Sequence, residues 1–331
     1  MTLRLEVVPN LEPAEVEAVA VLVERATEID GVRPLSEHVS LHLRHGGDAG
    51  DRSLLLYAPT DAGERLVGYA HLDPTDQVRG PSAELVVDPD YRRRGLGRQL
   101  VEALRTETVG AGLRVWAHGL HPAGEFLAGT LGFDSQRELW QMRRSLWAPL
   151  PPVQLPPGIR IRTFVPGQDD AAWLAVNAAA FAAHPDQGRW TGEDLSRRQA
   201  EPWFDPHGFL LAERDSELIG FHWTKVHGAE PHAPEPPPGE LHRHEAPATP
   251  GTGGDHGHER LGEVYVVGVL PSERGTGLAH ALVLAGLTHL RSCGLATAML
   301  YVDADNKPAI RLYERLGFTH WDTDVEFQAN V

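Results

Sequence analysis

The sequence predicts an α/β fold, α+β in its mixed strand directions, built as two similar domains that are each a twisted mixed sheet flanked by helices. Three observations predict it. First, an apolar strand ending in proline, a glycine-rich turn and an amphipathic run occur together twice, about 180 residues apart. The first copy is Leu85-Val86-Val87-Asp88-Pro89 followed by Arg92-Arg93-Arg94-Gly95-Leu96-Gly97; the second is Val267-Gly268-Val269-Leu270-Pro271 followed by Arg274-Gly275-Thr276-Gly277-Leu278-Ala279. Second, the order of strand-like and helix-like runs in the first half returns in the second. Third, the stretch from Ala148 to Pro157 is too rich in proline for a helix or a central strand and reads as a stiff extended linker. The 331 residues thus divide into a first domain over 1–147, a linker over 148–157 and a second domain over 158–331.

Runs of apolar alternation predict strands and apolar spacings of three and four predict helices. On that basis the first half reads strand Leu3–Val8, helix Pro13–Asp30, helix Ser36–His45, and strands Ser53–Ala58, Arg65–Leu72 and Ala83–Asp88. Helix Leu96–Val109, strand Leu113–Ala117, helix Pro122–Leu131 and strand Glu138–Arg144 complete it. The second half begins with Ile159–Phe164 and helix Asp169–Ala183, continues through strand Glu217–Val226 and a strand beginning near Glu263, and reaches helix Leu278–Ser292 and strand Ala296–Val302. One stretch, about 228–260, breaks the repeat. With its flank it holds His227, His232, His242, His244, His256 and His258 among many prolines and glycines. These histidines lack the fixed spacing of a metal motif, so the segment reads as a surface insertion without ordered structure, and no metal is expected.

A net charge of −16 excludes nucleic acid and anionic membrane as partners, since both demand a basic face. The one cysteine, Cys293, excludes a disulfide framework; it is read as sitting in an apolar helix rather than beside a base, and so as core. No charged-then-apolar leader is evident, and no apolar run approaches the roughly 18 residues of a membrane helix. A soluble, cytoplasmic, monomeric protein acting on small molecules is expected.

A glycine-rich turn between strand and helix aims several backbone N–H groups at one point beside the positive end of the helix dipole, where a phosphate is held. The turns lack the Gly-Lys-Ser/Thr of a Walker loop and the third glycine of a dinucleotide fingerprint. The pattern Arg-x-x-Gly-x-Gly/Ala instead resembles the acetyl-CoA pyrophosphate loop of the GNAT family of N-acetyltransferases. Downstream, Asn306-Lys307-Pro308-Ala309-Ile310-Arg311-Leu312-Tyr313-Glu314-Arg315-Leu316-Gly317-Phe318 is similar to that family's Asn-x-x-Ala-x-x-x-Tyr-x-x-x-Gly-Phe. The resemblance implies two tandem GNAT-like domains and acetyl-CoA as co-substrate.

Aligning Leu131-Gly132-Phe133 on Leu316-Gly317-Phe318 puts Ala128 opposite Tyr313 and His121 opposite Asn306. A phenol with an ordinary pKa near 10 can serve the departing thiolate as acid, and alanine cannot. The first domain therefore reads as catalytically silent and the second as active. The attacking amine must also lose a proton. At neutral pH this costs about 1.4 kcal/mol for an α-amine and about 4.6 kcal/mol for a lysine side chain, so one carboxylate suffices for the former. Glu263, in Gly262-Glu263-Val264-Tyr265-Val266-Val267-Gly268-Val269, stands on a strand expected to be central, where burial of a carboxylate calls for a role; period two puts Glu263, Tyr265 and Val267 on one face.

Within the GNAT family, the strings Phe221-His222-Trp223-Thr224-Lys225-Val226-His227, His184-Pro185-Asp186-Gln187-Gly188-Arg189-Trp190-Thr191 and Gly262 to Val269 look like those of mycothiol synthases. That resemblance implies acetyl transfer to the cysteinyl amine of Cys-GlcN-Ins, with Glu263 as base and substrate contact and Tyr313 as acid. It makes Asp186, Lys225, Tyr301 and, from Leu35-Ser36-Glu37-His38, Glu37 further substrate contacts; at the Asp186 position the family commonly carries Glu. It places acetyl-CoA against Leu85, Val86 and Val87 with Arg92, Arg93, Arg94, Gly95, Leu96 and Gly97 in the first domain. In the second, the contacts are Val267, Gly268 and Val269, Arg274 to Ala279 with His280, and Asn306, Lys307, Pro308, Ala309, Ile310 and Arg311. The general motifs also fit an acetyltransferase for aminoglycosides or protein N-termini, and a non-catalytic acetyl-CoA sensor.

Overall fold

The computed structural model describes residues 3–48, 50–61, 63–76, 79–119, 122–182, 184, 187–228 and 260–329. Asp186, His121 and nearly all of the histidine-rich segment lie outside them.

The chain forms two compact units whose membership does not follow chain order: unit 1 takes residues 1–141, 302–310 and 320–331, and unit 2 takes 142–301 and 311–319. Unit 1 begins with β1 (Arg4–Val8), α1 (Pro13–Asp30), α2 (Glu37–His45), β2 (Arg52–Thr60), β3 (Gly63–Asp73) and β4 (Ser82–Val87). It continues with α3 (Leu96–Glu107), β5 (Arg114–Ala117), α4 (Pro122–Thr130) and β6 (Phe133–Ser145), the last passing into unit 2 after Gln141. Proline at the first position of α1 and Gly31 in a left-handed conformation after its last residue set that helix's ends where the sequence puts them. Strands β1 to β4 pair antiparallel in chain order, and β5 joins β4 in parallel, as a strand reached through a crossover helix does.

On the far side of β5 lies a strand from the end of the chain, β12 (Thr319–Ala329), antiparallel with Glu326 opposite Trp116. Glu326 is fully buried and accepts from Arg114 Nη1 (2.9 Å) and from Arg79. Two cores sandwich this sheet. Leu54, Leu56, Val67, Leu100 and Leu104 pack on the α3 face; Val19, Leu22, Val39, Leu55 and Tyr69 pack on the α1 and α2 face.

Unit 2 contains β7 (Ile159–Thr163), α5 (Asp170–Ala180), α6 (Gly192–Gln199), β8 (Phe209–Arg214), β9 (Glu217–His227), β10 (Leu261–Val269), α7 (Leu278–Ser292) and most of β11 (Thr297–Asp303). The last element, α8 (Lys307–Arg315), enters it at Arg311. Strands β7 to β10 pair antiparallel and β11 pairs parallel with β10, repeating the pattern of unit 1. One face is an aromatic core in which Trp173, Phe209, Phe221 and Trp223 meet; Phe209 and Trp223 stack at 4.4 Å. The other face packs Ala212 and Ile219 against Leu278 and Leu282 of α7.

Candidate active site

The site is organised by an irregularity in β10. Its register against β9 shifts between Val264 and Val266, so Tyr265 is an extra residue, a β-bulge. Strict alternation fails there. Tyr265 and Val266 both pack in the aromatic core, while Val267 turns to the α7 face, so the expectation that Glu263, Tyr265 and Val267 share a face is corrected. Among the described residues, β10 pairs with β11 only over Leu261–Glu263. Beyond that point the strands part, and the β11 side of Val264 to Val269 offers backbone groups to another partner. Unit 1 repeats the device: β4 pairs with β5 over Ser82–Glu84, leaving Leu85 to Val87 open. Both openings coincide with the strand residues expected to meet acetyl-CoA.

Each open strand leads through a short 3-10 turn to a helix whose N-cap is a left-handed glycine, Gly95 with φ 84° before α3 and Gly277 with φ 90° before α7. Apart from the local chain, no atom lies within 4 Å of a Cβ built on either glycine, so open space adjoins the start of each helix. A left-handed residue also stands two positions earlier: Gly275 in the second copy, but Arg93, with φ 59°, in the first. The first loop therefore holds a non-glycine residue in a conformation that costs roughly 1–2 kcal/mol.

Glu263 is buried on β10, directly opposite Lys225 on β9. His227, at the end of β9, donates from Nε2 to Glu263 Oε2 at 2.7 Å. Burial pushes the Glu263 carboxyl upward, but the His227 hydrogen bond and the positive charges of His227 and Lys225 outweigh it and hold the group below its ordinary value. The Lys225 ammonium lies 4.4 Å from the Trp203 ring centre and 5.3 Å from that of Tyr265, so its stem is fixed against the aromatic core. Tyr313, on α8, is buried edge-on against Phe318 at 5.8 Å, and burial pushes its phenol up to about 12. Tyr301 on β11 is exposed. Asn306 caps α8, its Oδ1 accepting the Ala309 N–H.

Other expected residues are placed differently. Arg92 is held by a bidentate pair with Asp30 at 2.7 Å and donates from Nε to Val87 O, so its guanidinium braces the loop of unit 1. Arg274 donates to Ala180 O in unit 2, and Arg94 donates to Asp90 O. Lys307 donates to Ala304 O and lies over Trp140 in unit 1. Glu37 is the first residue of α2 in unit 1, after the Ser36 cap. Ala128, opposite Tyr313 in the sequence repeat, is buried in the core of unit 1. The reading of Cys293 is also corrected: it is a partly buried helix cap, not an interior core residue, and its Sγ lies 3.6 Å from His289 Nε2. Burial and the nearby charge of Asp205 push its thiol upward, away from the thiolate a nucleophile needs. His227, grouped by composition with the insertion, belongs instead to β9 and to Glu263. Its signal in the sequence was the apolar strand pattern running one residue further than Val226.

Comparison with known proteins bears on this geometry. A profile described as "Acetyltransferase (GNAT) family" matches residues 176–318, and one described as "Acetyltransferase (GNAT) domain" matches 52–133. The chain is 58% identical to a mycothiol acetyltransferase of Acidothermus cellulolyticus, over 99% of this chain and 95% of that one. The chain belongs to the mycothiol acetyltransferase family. It is an acetyltransferase with two GNAT domains. Among solved structures, a GCN5-related N-acetyltransferase from Sphaerobacter thermophilus matches with TM-score 0.65 and 26% identity, covering 98% of this chain and 95% of that one. A tandem GNAT protein from the clavulanic acid biosynthesis pathway shares the fold at TM-score 0.66 and 18% identity, with 98% of each chain covered. The open strand, left-handed glycine and helix N-terminus of each unit are thus features of a mycothiol acetyltransferase family member.

Proposed function

We propose that this chain transfers acetyl from acetyl-CoA to the cysteinyl amine of Cys-GlcN-Ins, completing mycothiol, in a catalytic C-terminal domain over 158–331. The N-terminal domain over 1–147 is silent in this reading, and 148–157 links the two. The observation that carries the proposal is the buried Glu263 carboxylate, ionised and hydrogen-bonded to His227 on the strand that opens toward the cofactor loop. A single carboxylate is matched to a weakly basic α-amine of the kind this substrate presents.

In this mechanism the pantetheine arm of acetyl-CoA runs along the open side of Val267 to Val269 and the pyrophosphate rests on the amides of Arg274 to His280 at the start of α7. Asn306 to Arg311 are further proposed contacts to acetyl-CoA. Glu263 takes a proton from the ammonium, and the free amine nitrogen attacks the thioester carbonyl. Collapse breaks the carbon–sulfur bond as Tyr313 donates its phenolic proton to the departing sulfur, and the second proton on the attacking nitrogen is lost to solvent, leaving the neutral amide. A phenol pushed to about 12 keeps that proton throughout the neutral range and recovers it from solvent afterwards. Lys225, Tyr301, Asp186 and Glu37 are the proposed contacts to the hydroxyl-rich glucosamine-inositol. In the N-terminal domain, Leu85 to Val87 and Arg92 to Gly97 hold a second acetyl-CoA that does not react, because Ala128 offers no acid. Cytoplasmic location and a monomeric state complete the reading. Among the described residues no helix is long and apolar enough to cross a membrane.

The test is release of CoA thiol across a panel of Cys-GlcN-Ins, free cysteine, glucosamine, an aminoglycoside and an N-terminal peptide. Cys-GlcN-Ins is expected to give the highest kcat/KM, with one acetyl on nitrogen by mass. A higher value for an aminoglycoside or a peptide would refute the substrate while leaving the acetyltransferase.

A further inference from the structure

His42, Asp51 and His71 take no part in acetyl transfer as described above, yet unit 1 gathers them from three separate elements. His42 lies on the buried face of α2, Asp51 immediately precedes β2, and His71 is on β3, two residues after Tyr69 and so on the same face of the sheet. One nitrogen of each histidine and one oxygen of Asp51 fall within 4.8 Å of one another, and all three residues are buried. His42 Nδ1 is 2.7 Å from Asp51 Oδ2, and His71 Nε2 is 3.7 Å from the same oxygen.

The surrounding chain is shaped to this cluster. The Asp48 N–H donates to Asp51 Oδ2 at 2.9 Å, and a Cβ on Gly47 would stand 2.4 Å from that oxygen, so any larger residue there would push the carboxylate from its place. On the outer side, His38 packs on His42 with ring centres 4.0 Å apart and pairs with Asp73 at 3.2 Å. Two polar atoms are left over. His71 Nε2 and Asp51 Oδ1 have no hydrogen-bond partner among the described residues, although each residue is only 4% exposed. Buried donors and acceptors are almost always satisfied, so this pair points to something they hold. A cavity of about 450 Å³ opens onto His42, Asp51 and His71 beside Ser53 and Tyr69.

We propose that His42, Asp51 and His71 bind a divalent transition-metal ion of the zinc class, with one coordination position open to the cavity. Two imidazoles and a carboxylate form a nitrogen-rich set of borderline hardness that suits Zn²⁺ or Co²⁺, whereas Ca²⁺ and Mg²⁺ require more oxygen ligands. Bonds of about 2.0–2.1 Å in tetrahedral array separate ligand atoms by about 3.3 Å, so the observed spacings reach coordination by shifts of under about 1 Å. The ion displaces the proton shared by His42 and Asp51 and ties α2 to β2 and β3.

The test uses full-length protein in which His232, His242, His244, His256 and His258 are changed to Asn, so that the histidine-rich segment cannot contribute. After chelator treatment and dialysis, this protein is titrated with Co²⁺ and then Zn²⁺. About one equivalent of Co²⁺ is expected, with the visible bands of a four- or five-coordinate ion, displaced by Zn²⁺, together with a metal-dependent rise in Tm. In the same background His71→Gln and Asp51→Asn, checked for folding by circular dichroism, are each expected to lose that equivalent and the Tm response. Folded variants that retain the equivalent would overturn the proposal. Should both variants fail to fold, the titration of the parent decides, and absence of a stoichiometric site there would equally overturn it, leaving an ordinary buried polar network.

Discussion

Changing Glu263 to Gln removes the charge and leaves the shape, and its effect follows from the carboxylate's surroundings. Because His227 and Lys225 hold the Glu263 carboxyl below its ordinary value, the wild-type base is ionised at every pH from 6 upward and does not itself shape the rate profile in that range. The variant is left with whatever fraction of the amine is already neutral. For an α-amine near pKa 8 that fraction is about 9% at pH 7 and about 91% at pH 9, a recovery of about tenfold or about 1.4 kcal/mol. Loss of a positioned base costs about 10²- to 10⁴-fold. The expectation is therefore a fall in kcat of at least about 10² at pH 7 that shrinks about tenfold by pH 9, measured as CoA-thiol release at saturating acetyl-CoA. His227→Asn should produce a milder version of the same profile, since it removes the hydrogen bond but not the carboxylate. A Glu263→Gln variant whose pH profile parallels wild type would show that the proton is taken elsewhere.

Tyr313→Phe keeps the ring against Phe318 and removes the proton source, so kcat should fall about 10²-fold with acetyl-CoA affinity unchanged; full activity would reduce Tyr313 to packing. Gly277→Asp forces a left-handed aspartate under the proposed pyrophosphate site and should abolish turnover, while Gly95→Asp should lower acetyl-CoA stoichiometry with turnover within a few-fold of wild type. The reverse outcome in folded proteins would put catalysis in the other domain. In unit 1, His118 donates to Asp324 at 2.9 Å and lies 3.3 Å from Glu84; burial opposes its charge, but the two carboxylates outweigh burial and push it up to about 10. Since that exceeds the unfolded value of about 6.5, its stabilisation is complete below pH 6.5 and is lost as pH rises toward 10. His118→Gln should flatten urea-denaturation stability across that window, and an unchanged slope would refute the charged-histidine assignment.

Much of this was legible in the chain because it is written in local pattern. Strand alternation, the boundaries of α1 and α7, and both loop glycines depend on neighbours within one turn or one strand. The strand β12 has no comparable signal: Thr319-His320-Trp321-Asp322-Thr323-Asp324 is mostly polar, and Glu326 is buried only because Arg114 and Arg79 meet it more than 200 residues away. The bulge at Tyr265 was equally hidden, because an inserted residue reverses alternation without changing composition. His42, Asp51 and His71 are separated by 9 and 20 positions and come from a helix, a turn and a strand, so no spacing motif announces them. Only the fold makes them neighbours.

The placement of β12 bears on how the protein is made. Residues 1–141 leave the ribosome well before residue 320, and at roughly 5–20 residues per second the intervening stretch of about 180 takes roughly 10–35 seconds to synthesise. Throughout that interval the β12 side of β5 is an unmatched edge, and Arg114 and Arg79 lack the Glu326 carboxylate they share in the finished unit. Unit 1, most of which is translated first, is thus completed by a strand made about 180 residues later. Nascent chains stalled short of residue 320 should be sensitive to proteases and dependent on chaperones over a region whose sequence is otherwise entire, and release of the terminal segment should close both vulnerabilities at once.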